Sequence, residues 1–96
     1  MTTGILGEYK NMVADFGCAV CGAPAALHHP RFAVGMGQRA SDWLVIPLCG
    51  PHHQTGGYGT AIHAGQQAFE QNHGTEEKLL AQTLEKVFRE MDRRTL

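Results

Sequence analysis

Apolar residues recur at helical spacing near both ends of this chain, and the middle follows a different rule. Over residues 4–16, Ile5, Leu6, Tyr9, Met12, Val13 and Phe16 share one side, with Glu8, Lys10 and Asn11 largely opposite. This spacing predicts a short amphipathic helix closed by Gly17. Near the other end, Leu79, Leu80, Thr83, Leu84, Val87, Phe88 and Met91 form a second apolar stripe. Thr75 precedes it as a cap, and Glu76 and Glu77 sit in the first turn, where the helix dipole favours negative charge. The stripe reads as core or as a dimer seam, and Arg89, Arg93 and Arg94 at its end are offset by Glu85, Glu90 and Asp92. A further helical pattern over residues 61–72 places Ile62 and Phe69 on related faces, and His73-Gly74 ends it with His73 as a terminal cap residue.

The middle is organised in short extended pieces. Cys18-Ala-Val-Cys21 reads as a tight knuckle, and Gly22 follows where a positive φ would let backbone amides turn toward sulfur. Ala25, Ala26 and Leu27 lead into His28-His29 as a short strand, which Pro30 stops. The stretch GMGQRASD connects it to WLVIPLC, an apolar, β-branched run predicted as the second strand of a hairpin, with Trp43 in the core. Residues 50–63 begin as a turn of helix and break at Gly56-Gly57 and Gly59. The predicted architecture is α+β: one domain over residues 1–96, with a small hairpin and a metal knuckle flanked by N- and C-terminal helices.

Composition narrows the class. A chain of 96 residues makes one small domain with a modest core, so a structural metal is a natural reinforcement. No apolar run approaches the ~20 residues needed to span a bilayer. The N-terminal stretch lacks the pattern of a signal peptide, so a cytoplasmic protein with no membrane partner is expected. A formal net charge of −1 gives no global attraction to nucleic acid, so any such contact must come from local groups and bound metal.

Three cysteines do not close a disulfide framework. Cys18, Cys21, Cys49 and His52 form two pairs, each with two intervening residues, a spacing that lets both members reach one tetrahedral ion. The set predicts structural Zn²⁺. Unpaired buried cysteines are the plain alternative, and a redox CxxC would want a βαβ setting that the pattern lacks. His28, His29, His53 and His63 remain. Adjacent residues on a strand point to opposite faces, so His28 and His29 suit different jobs: one as a metal ligand, one as a base on nearby water. His53, on the turn beside His52, could complete the metal site. The bland alternative is histidines with no special role.

The order CxxC…HH…PLCxxHH…H resembles the HNH endonucleases, built on a ββα-metal finger. The longer run of HHP, GMG, SDWLVIPLC, a glycine-rich loop, IHAGQQAFEQ and a C-terminal leucine-rich segment looks most like phage and prophage recombination-enhancement nucleases, some of which act with RecA. The resemblance covers about residues 18–74. It implies His28 as first metal ligand, His29 as general base, His53 as second metal ligand, and His63 as a metal ligand or a contact to the scissile phosphate. The central Asn of the motif is not evident; its counted position is near Leu44, and Asp42 is the nearest polar candidate to brace His29. The implied reaction is phosphodiester hydrolysis with Mg²⁺ or Mn²⁺ on His28 and His53, or Zn²⁺ occupying that site. Arg31 and Arg39 are candidates to hold flanking phosphates, and Tyr58 to stack on a base. The implied partners are DNA, including single-stranded DNA or recombination intermediates, and RecA. The competing readings are a zinc-stabilised nucleic-acid- or protein-binding module with a degenerate nuclease site, and a structural zinc adaptor.

Overall fold

The computed structural model describes residues 4–32 and 40–95. Helix α1 spans Gly4–Asp15, strands β1 and β2 span Ala26–His28 and Ile46–Leu48, α2 spans Gln66–His73 and α3 spans Glu76–Thr95. A π-helical turn at Pro51–Thr55 and a 3-10 turn at Ile62–Ala64 lie between β2 and α2. The strands pair antiparallel, with Ala26 opposite Leu48, Leu27 opposite Pro47 and His28 opposite Ile46. This is a small α+β fold with a two-stranded sheet among helices.

Two apolar clusters hold it. Ile46, Leu48, Ile62, Phe69, Leu79 and Leu80 bury together with Cys18 and Cys49, so two thiols belong to the main core. Val13, Val45 and Val87 form the second cluster, where α1 and α3 meet beside the hairpin, with Tyr9, Met12, Phe16 and Leu27 packed against it. Thr83 on the buried side of α3 satisfies its hydroxyl by donating to the Leu79 carbonyl at 2.8 Å.

Three expectations change. The second strand is only Ile46–Leu48, and Trp43 lies outside it, 45% exposed rather than in the core. Its ring packs on Tyr9, centroids 5.0 Å apart, while its carbonyl accepts from the Tyr9 hydroxyl at 2.8 Å. The helix predicted from residue 61 begins at Gln66, because residues 62–64 wind as a 3-10 turn and Gly65 breaks the path with φ 167°. The α3 stripe leaves the core after Val87: Phe88 is 67% exposed and Met91 is also exposed.

Candidate metal centres

The knuckle is built by backbone bonds. Gly22 N–H donates to the Cys18 carbonyl and Cys18 N–H to the Ala23 carbonyl, both at 2.8 Å. Gly22 takes φ +80°, as its place after the CxxC predicts. Ala19 N–H then donates to the Pro47 carbonyl at 2.8 Å, fastening the knuckle to β2. The partner pair comes from the end of β2 and the π-helical turn, where His53 N–H donates to the Cys49 carbonyl at 2.9 Å.

Cys18, Cys21, Cys49 and His52 converge, their ligand atoms all within 4.8 Å of one another. Cys21 Sγ lies 3.7 Å from Cys49 Sγ, and His52 Nδ1 lies 3.1 Å from Cys49 Sγ and 3.7 Å from Cys18 Sγ. No disulfide joins them. Thiolates about 2.3 Å from one tetrahedral ion stand about 3.8 Å apart, so these separations fit a shared ion. Three cysteines and a histidine so arranged could hold a metal such as zinc. The ring of His73, at the end of α2, packs edge-on against His52 with centroids 5.1 Å apart and also meets Phe69. It is therefore a neighbour of the cysteine–histidine cluster as well as a helix-terminal residue. Burial, with the positive charge His73 can carry, holds the His52 pKa below its ordinary value.

A second cluster joins His28, His53 and His63, again with ligand atoms within 4.8 Å of each other. His28 comes from the end of β1, His53 from the π-helical turn and His63 from the 3-10 turn. Neighbours on one turn point in different directions, so His52 serves the thiolate cluster and His53 the histidine cluster. His53 Nε2 and His63 Nε2 face each other at 2.9 Å. Two imidazole lone pairs at that distance repel unless a proton or a cation lies between them. Burial, then the charges of His63 and His28, lower the His53 pKa to about 4, so the ring is neutral and ready to ligate at pH 7. Burial likewise lowers His63, helped by His28 and Arg31.

Buried Glu76, 1% exposed, anchors His28, itself 3% exposed. His28 Nε2 stands 2.6 Å from Glu76 Oε2, while Glu76 Oε1 accepts from the Arg31 backbone N–H at 2.8 Å and from Gln66 Nε2 at 3.1 Å. Burial pushes the Glu76 carboxyl up, but the His28 and Arg31 hydrogen bonds outweigh it and leave the pKa below the ordinary carboxylate value. His29 turns elsewhere: its Nε2 lies 2.8 Å from Asp42 Oδ1. A cavity of about 310 Å³ is lined by Leu27, His28, His29, Pro30, Arg31, His53 and His63.

Residues 2–90 match the family described as protein of unknown function, DUF968. The chain belongs to the DUF968 family. It is 35% identical over 89 residues to the uncharacterized protein YdfU of Escherichia coli (strain K12), covering 90% of this chain and 22% of that protein. The DUF968 chain thus spans about a fifth of the length of this curated relative. No solved structure matches.

Within this DUF968 domain, the four predicted zinc ligands fall in one cluster, and His28, His53 and His63 in another. Asp42, the polar residue nearest the counted position at Leu44, reaches His29. Arg31 points a guanidinium nitrogen to within 3.4 Å of His63 Nδ1, at the mouth of the cavity. Arg39 lies outside the described residues. Tyr58 is 80% exposed, and its ring lies so close to Gly65 that an added Cβ there would meet it at 2.8 Å. Glu76 and Gln66 were not anticipated as site residues. An acid in a helix's first turn already has a reason to be there, so nothing local marks Glu76. No described helix is long and apolar enough to cross a membrane.

Proposed function

We propose that this domain is a small HNH-type endonuclease that hydrolyses phosphodiester bonds in DNA, with the hairpin and the following turn serving as a ββα-metal finger. The observation that carries the reading is the pairing of a three-histidine cluster with a separate His29–Asp42 pair across one cavity. A lone structural site does not require the second cluster. Cys18, Cys21, Cys49 and His52 hold structural Zn²⁺ as the scaffold.

His29 Nε2–H donates to Asp42, which leaves Nδ1 free to take the proton from an attacking water. Asp42 thereby stands in for the Asn that the family motif carries. His28, His53 and His63 would hold the divalent cation, and three imidazoles fit a borderline ion such as Zn²⁺ better than Mg²⁺, with Mn²⁺ between them. When bound, that cation supplies positive charge for the phosphorane and the leaving oxygen. Arg31, at the rim, is placed to pair with a flanking phosphate. DNA, including single-stranded DNA and recombination intermediates, is the proposed substrate class, and RecA a proposed partner in a phage or prophage setting.

The test is nicking of plasmid and single-stranded DNA with Mn²⁺, Mg²⁺ or Zn²⁺ added. Removing a general base typically costs about 10²–10⁴-fold in rate, so His29→Ala is expected to lose cleavage on that scale while folding normally. Equal cleavage by wild type and His29→Ala would falsify the assignment. One observation favours a binding module instead. The central Asn of the HNH motif is not evident, its counted position falling near Leu44. DNA retention without cleavage, indifferent to His29→Ala, is the result that reading predicts.

A further inference from the structure

We infer that Glu76 is a positioning residue that selects the tautomer of His28 and thereby makes the three-histidine cluster competent to hold a divalent cation; this rests on the metal-site part of the function proposed above. The carboxylate reaches the cluster from α3, 48 positions along the chain from His28, and lies beyond residues 18–74, the stretch that the family resemblance covers.

The two oxygens have different duties. Oε1 already faces two donors, the Arg31 backbone N–H and the Gln66 amide. Oε2 faces His28 Nε2 at 2.6 Å. A carboxylate only accepts, so Nε2 must carry the proton. The lone pair of His28 then resides on Nδ1, the nitrogen left to ligate alongside His53 and His63. Metal-bound histidines commonly donate their second N–H to a carboxylate, which fixes the ring and raises its basicity.

Charge points the same way. Three neutral imidazoles bring no negative charge to a divalent cation, and the Glu76 carboxylate bonded to His28 supplies one unit from just behind the ligands. Its own placement is enforced from several sides. The Glu76 backbone N–H donates to Glu70 Oε2 at 2.8 Å, and its side chain ties the end of β1, the loop at Arg31 and the start of α2 together. A buried acid with no more than a packing duty would not need an oxygen dedicated to a ligand histidine.

Glu76→Gln discriminates, because the amide is almost isosteric but has one oxygen and one NH₂ group. Its oxygen belongs opposite the two donors at the Oε1 position, which turns the NH₂ toward His28. That arrangement forces His28 to accept at Nε2 and to carry its proton on Nδ1, where the lone pair is needed.

The experiment uses the full chain with one equivalent of Zn²⁺ on the thiolate set, titrated with Co²⁺ and followed by absorbance and calorimetry. Long-range ¹H–¹⁵N spectra of the histidines are recorded before Co²⁺ is added. The expected wild-type result is a second ion bound and His28 protonated at Nε2. The expected Glu76→Gln result is His28 protonated at Nδ1 and Co²⁺ affinity lowered about 10–100-fold, with the thiolate-bound zinc retained. If wild type binds Co²⁺ at the second site and Glu76→Gln binds it equally well, the role of Glu76 is overturned and the metal site stands. If wild type takes up no second ion, the metal site fails and the role of Glu76 fails with it. The wild-type spectrum decides even where the variant does not fold: a proton on Nδ1 of His28 overturns the inference.

Discussion

Gly17 and Gly22 both adopt positive φ, +82° and +80°, but only one of them is crowded. A Cβ at Gly17 would meet the Gly22 carbonyl oxygen at 2.5 Å, whereas at Gly22 nothing lies within 4 Å. The left-handed conformation alone costs a non-glycine residue about 1–2 kcal/mol. Gly22→Ala is therefore expected to lower stability by about that amount. Gly17→Ala should cost distinctly more, since backbone rather than a flexible side chain must give way where α1 enters the knuckle. Urea unfolding of both variants, with the same metal added to each, measures the difference, and equal losses would show that the knuckle yields freely at Gly17. The same scale separates what could be read from the chain from what could not. Gly22 was legible because its offset from Cys21 has a known geometric use. Asp42 could be named as a candidate brace of His29 because it is the nearest polar residue to the counted position of the motif's Asn, near Leu44. Glu76 could not, because its partner His28 is 48 positions distant and its local setting already explains an acid. Trp43 misled because its apolar neighbours hid that the strand begins only at Ile46.

Among the elements, α3 contributes both to the core and to the histidine cluster, so its first turn is where stability and site geometry meet. Thr75 Oγ1 accepts from the Lys78 backbone N–H at 3.1 Å, an N-cap bond, directly beside Glu76. Loss of such a cap costs about 0.5–2 kcal/mol. Thr75→Ala should lower the unfolding free energy by that amount, read as a lower urea midpoint at unchanged slope, and Thr75→Ser should restore it. A midpoint that does not move would mean the first turn is held by Glu76 and its partners alone. Helix existence was legible at both ends of the chain, where periodicity is long. Helix boundaries between residues 61 and 66 were not. There a 3-10 turn and an extended glycine replace the expected helix start, and that departure brings His63 to His28 and His53.

For the molecule as a whole, the two clusters differ in what they support, and removing metal should separate them. Cys18 and Cys49 are members of the main apolar core beside Ile46, Leu48, Phe69 and Leu79. Without an ion, two buried thiols are left in that core with exposed Cys21 and half-buried His52 against them, and burial pushes the Cys49 pKa up. Structural zinc contributes about 10–16 kcal/mol of apparent binding free energy in small finger domains at neutral pH. A domain's total stability is only about 5–15 kcal/mol, so loss of an ion held by the thiolate cluster should exceed what the apolar contacts can supply. Stripping the metal with a strong chelator is therefore expected to abolish cooperative thermal unfolding, as should Cys49→Ser. His53→Ala removes a side chain of the histidine cluster that lines the cavity and is not part of the apolar core, and should leave the unfolding free energy within about 1 kcal/mol of wild type. Calorimetry on the metal-stripped protein and the two variants tests this division. A metal-stripped protein that still melts cooperatively at the original temperature would remove the thiolate site from the account of stability, and a His53→Ala variant as unstable as Cys49→Ser would mean the two centres form one structural unit.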